Sequence, residues 1–179
     1  MKQILSKSVV LIGLMGAGKS SIGSELSKSL GVLFSDSDKK IESLCDKSII
    51  EIFNESGEAY FRRLEEKVFC NLLEVDPHII SSGGGTILSK TTRRTISESA
   101  YSIWLKSSEK TILNRIKKAK DRPLIAKGDI GKILNEKLLE RKKFYNMANF
   151  HINNENVSIE SVVNQITEKL INEKVLIRS

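Results

Sequence analysis

Gly13-Leu14-Met15-Gly16-Ala17-Gly18-Lys19-Ser20 sets three glycines, a lysine and a hydroxyl at the spacing G-x-x-x-x-G-K-[ST]. Glycines there let backbone N–H groups turn inward around phosphate oxygens, where a Cβ would block the approach. Lys19 would reach the β- and γ-phosphates, and the Ser20 hydroxyl would ligate Mg²⁺. The apolar run Val9-Val10-Leu11-Ile12 before the loop reads as a buried strand. After it, Ile22, Leu26 and Leu30 share one face of a helix whose N-terminus adds a positive dipole end. A bare match would be compatible with a glycine-rich turn. Strand before and helix after point instead to a nucleoside-triphosphate site.

Three further groups could act on a phosphate or its acceptor. Asp36-Ser37-Asp38 carries two carboxylates two residues apart, which in an extended segment point to the same side. They could serve Mg²⁺, a bound water or a substrate hydroxyl. They could equally cap a helix, since Ile41 and Leu44 continue a helical face. Arg62 and Arg63 lie about 100° apart on a helix, so only one faces a site. An arginine fork suits a carboxylate, and a surface pair with Glu65 or Glu66 is the plain alternative. Gly83-Gly84-Gly85 follows an apolar run, so something is expected to approach its backbone closely. Arg115, Arg122 and Arg141 complete the set. Arg122, in a loop with Pro123, could stabilise charge on a transferring phosphoryl group. Arg141 could bind an anionic substrate, and Arg115 could lie on an adenine ring.

Short apolar runs alternate with longer amphipathic segments, the pattern of a parallel α/β sheet. Strands are expected at 9–12, 32–34, 79–82, 101–105 and 150–152. A helical block is expected over about 37–73, interrupted at Gly57, with helices at 108–118, 130–147 and 158–172. Residues 120–128 read as a mobile loop. The P-loop, Asp36–Asp38 and Gly83–Gly85 then all fall at carboxyl ends of strands, where open α/β sheets bind ligands.

The 179 residues suffice for one domain with a sizeable core. No apolar run approaches the ~20 residues that span a bilayer, and the short stretch before the first strand leaves no room for a signal peptide. A cytoplasmic protein is therefore expected, without a membrane partner. The net charge of +7 admits nucleic acid, but no aromatic-interleaved basic patch is visible. Positive groups around a triphosphate and an anionic substrate account for part of the excess. Cys45 and Cys70 read as free thiols, and His78 and His151 as structural residues at strand starts.

The motifs in this order resemble the shikimate kinase family, from the P-loop strand to about Tyr145. The matching pieces are 13–23, Asp36-Ser37-Asp38, the block 52–65 with Gly57-Glu58 and Phe61-Arg62, Gly83-Gly84-Gly85, Arg122-Pro123-Leu124, and Arg141 with Tyr145. The resemblance implies a P-loop NTPase fold of the nucleoside-monophosphate-kinase-like kind. It implies a five-stranded parallel sheet flanked by helices, in a single domain over 1–179. A mobile lid would lie near 117–128 and a substrate-binding region near 37–65. It implies transfer of the γ-phosphate of ATP to the 3-hydroxyl of shikimate, with Mg²⁺, by a monomer. ATP would lie against Gly13, Gly16, Ala17, Gly18, Lys19, Ser20, Ser21, Arg115 and Arg122. Shikimate would be held by Asp38, Arg62, Gly83, Gly84, Gly85 and Arg141, with the two arginines on its carboxylate. Catalysis would rest on Lys19, Asp38 and Arg122. Mg²⁺ would take Ser20 directly and Asp36 through water. Ser21 stands where threonine is common. Asn153-Asn154-Glu155-Asn156 lacks the basic residues often found near the adenine, so no adenine contact is assigned there. Competing readings are a gluconate or nucleoside-monophosphate kinase, which the Gly-Glu-x-x-Phe-Arg block disfavours, and a non-catalytic nucleotide-binding module, which the full set of site residues disfavours.

Overall fold

Val9, Val10, Leu11 and Ile12 alternate between two faces of one strand, and all four are buried. A strand covered on both sides needs such an unbroken apolar run. In the computed structural model, which describes residues 3–118 and 130–178, this strand is the centre of a parallel sheet. In chain order the elements are β1 (Gln3–Leu5), β2 (Ser8–Ile12), α1 (Lys19–Leu30), β3 (Phe34–Asp36), α2 (Ser37–Cys45) and α3 (Ile49–Leu73). Then come β4 (Ile79–Ser81), a 3₁₀ turn (Thr86–Leu88), α4 (Lys90–Ser99), β5 (Ala100–Lys106) and α5 (Glu109–Lys118). The chain closes with α6 (Ile130–Tyr145), β6 (Phe150–Asn153), α7 (Ile159–Asn172) and β7 (Leu176–Arg178).

The five-stranded sheet has the order β3-β4-β2-β5-β6, all parallel. The connection from β4 to β5 crosses β2, so the strand order reverses beside β2. The P-loop leaves β2 at that switch point, where such sheets open a crevice. Val9 and Leu11 pack with Leu26 of α1 and Ile166 and Leu170 of α7. Val10 and Ile12 face the other way, onto Phe69 of α3 and Ile96 of α4. A separate small core of Ile41, Ile52, Phe61 and Val68 joins α2 to α3.

The second sheet strand lies two residues later than expected, at Phe34–Asp36 rather than 32–34. Val32 is used to end α1: Gly31 N–H donates to Lys28 O and Val32 N–H to Ser27 O, a left-handed cap at Gly31 (φ 64°). Leu33 is left 75% exposed. The helical block over 37–73 is two helices. Asp46 ends α2 in a left-handed conformation (φ 50°), and Ser48 with Glu51 opens α3 in a capping box. Gly57 breaks α3 at φ 77° and ψ 169°, which a side chain would resist. Helix α4 and the antiparallel ribbon of β1 with β7 were not expected from sequence. Cys45 and Cys70 are free thiols on α2 and α3. His78 is buried beside β4 with Nδ1 2.8 Å from Asp76 O, and His151 packs edge-on to Trp104. Among the described residues no helix is long and apolar enough to cross a membrane.

Helix α1 lies unusually close to the sheet. A Cβ on Gly23 would come within 2.5 Å of Phe34 Cε2 and 3.2 Å of Leu11 Cδ1. Gly23→Ala is expected to cost about 1–3 kcal/mol, as overpacking does, and to pull the P-loop helix off β3. Urea melts check this. An unchanged midpoint would mean that α1 shifts without penalty.

Candidate active site

Gly18 begins the site. It caps α1 in the left-handed conformation (φ 91°, ψ 14°), so the loop swings round the helix N-terminus. Lys19 is buried, and its ammonium donates to Gly13 O and Leu14 O, both at 2.9 Å. Ser20 Oγ donates to Asp36 Oδ2 at 2.5 Å and lies 3.4 Å from Ser81 Oγ. Strands β2, β3 and β4 thus bring the loop hydroxyl and the first carboxylate together. A cleft of about 890 Å³ runs along this line, from Arg115 and Asn154 past the P-loop to Asp36, Asp38 and Gly84.

Asp36 does both things its sequence allows. Its Oδ1 accepts from Asp38 N–H (3.1 Å) and Lys39 N–H (3.3 Å), capping α2, while its Oδ2 holds Ser20. Ser37 is wholly buried, and its Oγ accepts from Gly83 N–H at 2.8 Å. Asp38 faces the cleft from the first turn of α2. Burial pushes its carboxyl up from 3.8 to about 6, and the nearby Asp36 and Glu65 add to this against the opposing pull of Lys19.

Gly83 and Gly85 are bare because side chains fill the space, whereas a Cβ on Gly84 would meet only ordinary contacts. A Cβ on Gly83 would lie 2.5 Å from Asp38 Oδ1 and 2.6 Å from Glu65 Oε1, and one on Gly85 would collide with the Arg62 guanidinium. Close approach was expected here, but much of it comes from the protein itself. Arg62, not the exposed Arg63, turns inward. Arg62 Nη1 donates to Glu65 Oε2 at 2.7 Å, and its Nε and Nη2 donate to Glu58 Oε1 at 3.2 and 3.1 Å. Its guanidinium also lies over Phe61 and Phe53. From the far side, Arg141 Nη1 (2.7 Å) and Tyr145 Oη (3.2 Å) both donate to Gly84 O. Arg141 is only 5% exposed, and its Nε has no hydrogen-bond partner among the described residues. Tyr145 stacks on Trp104, and burial pushes its phenol up to about 12.

Glu65 is the residue that sequence reasoning undervalued. It entered only as a surface partner for Arg62, yet it is 3% exposed and also accepts from Thr86 Oγ1 at 2.8 Å. A signal existed, since Phe61, Glu65 and Val68 fall on one face of α3. Lys137, one turn before Arg141 on α6, has its ammonium held below the usual range by burial and by Arg141 and Arg62. It adds a third cation to this corner.

At the other end, Arg115 Nη1 donates to Ala17 O (3.2 Å) and its Nη2 to Asn154 O (2.7 Å). Val157 and Ile159 line the cleft beside it, half open to solvent. Both lie just beyond the segment 153–156, where the sequence assigns no adenine contact. Arg122 and residues 119–128 of the expected lid lie outside the described residues.

The donor set fits Mg²⁺. That ion keeps most of its waters and takes one or two carboxylates plus phosphate oxygens. Ser20 beside Asp36 offers one hydroxyl and one carboxylate. Among the described residues no three His, Cys, Asp or Glu side chains gather into a metal cluster of their own.

Residues 15–171 match the family model described as shikimate kinase. A shikimate kinase of Ruegeria pomeroyi is 40% identical over 171 residues, 95% of this chain and 88% of that protein. One of Caulobacter vibrioides is 40% identical over 147 residues, 82% of this chain and 74% of that one. Among solved structures, shikimate kinase from Acinetobacter baumannii in complex with shikimate superposes with a TM-score of 0.88 at 28% identity, covering 94% of each chain. A gluconokinase from Sinorhizobium meliloti, at 13% identity and a TM-score of 0.58 over 95% of this chain and 98% of that one, shares the fold alone.

Proposed function

The chain belongs to the shikimate kinase family, and from that premise we propose how its own residues carry the reaction. The activity is ATP-dependent phosphorylation of shikimate. The oxygen of the 3-hydroxyl forms a bond to the γ-phosphorus, and the bond from that phosphorus to the β–γ bridging oxygen breaks. ADP and shikimate 3-phosphate leave. In this reading the P-loop N–H groups from Gly13 to Ser21 and the Lys19 ammonium hold the β- and γ-phosphates. Lys19 then exchanges its bonds to Gly13 O and Leu14 O for phosphate oxygens. The adenine lies between the Arg115 face and the Val157–Ile159 edge.

Ser20 directly and Asp36 through a water would hold Mg²⁺, which would supply neutralisation of charge on the phosphates. Asp38 accepts the hydrogen bond of the attacking hydroxyl and takes up its proton. Arg62 and Arg141 hold the carboxylate of shikimate against the Gly83–Gly85 turn, and Arg122, outside the described residues, would stabilise charge on the transferring phosphoryl group. The observation that carries the reading is one convergence. Asp38, Arg62 and Arg141 surround a single glycine turn at the acceptor end of the P-loop cleft. An anionic acceptor with a hydroxyl fits such a corner. We further propose that the protein works as a cytoplasmic monomer without a nucleic-acid partner, its net charge of +7 serving two anionic substrates.

ADP release with Mg²⁺ and ATP, with shikimate, gluconate or nucleoside monophosphates as acceptor, tests this. Release is expected with shikimate alone. Release only with another acceptor would discard the Arg62–Arg141 assignment while keeping the nucleotide site.

A further inference from the structure

Asn154 belongs to no nucleotide-binding motif, yet it is 3% exposed and bonded on every side to the nucleotide end of the cleft. Its Nδ2 donates to Ala17 O at 2.6 Å, the same carbonyl that Arg115 Nη1 reaches at 3.2 Å. Arg115 Nη2 in turn donates to Asn154 O at 2.7 Å and approaches Asn154 Oδ1 at 3.4 Å. Asn154 N–H donates to Lys106 O at 2.8 Å, which anchors the residue to the end of β5. Three segments that are far apart in sequence therefore meet at one P-loop carbonyl.

That carbonyl governs a donor. Ala17 C=O and Gly18 N–H belong to one planar trans peptide unit, so they point in opposite directions. Holding the carbonyl outward aims the Gly18 N–H inward, to the place where a phosphate oxygen is cradled. The peptide would otherwise turn over cheaply, because Gly18 sits at φ 91° and glycine populates both signs of φ. Arg115 spends its edge nitrogens on this carbonyl and on Asn154, which leaves its planar faces for an adenine ring.

We propose that Asn154 is a positioning residue that, with Arg115, locks the Ala17–Gly18 peptide and so couples the adenine end of the cleft to the shape of the phosphate cradle. The inference rests on the nucleotide reading above and deepens it. Asn154 acts on the phosphates through the loop and does not touch the acceptor.

The test is calorimetric binding of ATP with Mg²⁺, of inorganic tripolyphosphate with Mg²⁺, and of shikimate, to wild type, Asn154→Ala and Asn154→Asp. Tripolyphosphate has no adenine, so it reports on the cradle alone. Asn154→Asp keeps the volume and the acceptor but turns an oxygen toward the Ala17 carbonyl. Both variants are expected to weaken ATP and tripolyphosphate alike, by about tenfold, the loss of one buried hydrogen bond. Shikimate affinity stays unchanged. Loss of ATP affinity with tripolyphosphate binding retained in Asn154→Asp would overturn the proposal, since Asn154 would then be an adenine contact only. Equal weakening of shikimate would also overturn it, as a general loosening of the fold. Failure of the wild type to bind ATP would instead sink the nucleotide reading, and this inference with it.

Discussion

Asp38→Asn is expected to lower kcat by roughly two to four orders of magnitude, the usual contribution of a positioned proton acceptor, and at the same time to make the protein more stable. The two effects share one cause. The carboxyl of Asp38 is raised from 3.8 to about 6 by burial and by the neighbouring Asp36 and Glu65. A carboxyl raised in the folded state favours folding while it holds its proton. That contribution is complete below pH 3.8 and is lost as the pH rises through about 6. At pH 7 the native state therefore carries an ionised group in surroundings that disfavour it, at a cost on the order of 2–3 kcal/mol. Asparagine removes the charge and most of the cost. Thermal melts at pH 7 without nucleotide should show a higher Tm for Asp38→Asn, and the gap should close toward pH 4. A variant equally active, or one less stable at pH 7 than wild type, would sink this account. In the wild type, kcat/KM should fall on the acid side of about pH 6, because the proton acceptor must be ionised. Glu65→Gln should move that limb to lower pH by removing one negative neighbour.

Arg62→Ala is expected to raise the KM for shikimate by about two orders of magnitude, with the KM for ATP little changed. A fully paired guanidinium in a partly dry corner is worth a few kcal/mol to a carboxylate. The variant should also lose stability, because Glu65, nearly buried and near Asp38, would keep only Thr86 as a hydrogen-bond partner among the described residues. Leaving a buried charge unpaired costs more than the pair contributes. Arg62→Ala combined with Glu65→Gln should therefore recover stability without recovering shikimate affinity. Glu58 provides an independent check. It is 67% exposed at its side chain and occupies the guanidinium edge that an incoming carboxylate would take. Glu58→Ala should tighten shikimate binding roughly two- to fivefold, the worth of an exposed ion pair. Weaker binding in Glu58→Ala would show that Glu58 aims Arg62 and does not compete for it.

These two residues also mark where sequence reasoning stopped. Asp38 was legible as a candidate because a strand end beside a P-loop is a known place for chemistry. Its raised carboxyl was not, because that depends first on burial, with Asp36 and then Glu65, 27 residues away, adding to it. Arg62 was legible as a fork that would face either a carboxylate ligand or a glutamate. The fold pairs it with the two glutamates Glu58 and Glu65.

The sequence by itself determined the P-loop, the parallel α/β layering and the family. Each rests on local pattern: the spacing of glycines and lysine, an unbroken apolar run at Val9–Ile12, and motifs in a set order. Only the tertiary structure decided where β3 begins, since Val32 is drawn into the cap of α1. It also decided which side chains crowd Gly83 and Gly85, that Glu65 is buried, and that Asn154, just after β6, donates to Ala17 O of the P-loop. All of these hang on contacts between segments brought together by the sheet order β3-β4-β2-β5-β6. A one-dimensional pattern records the faces an element presents. It does not record which distant side chain arrives at a given carbonyl, and that is set by packing.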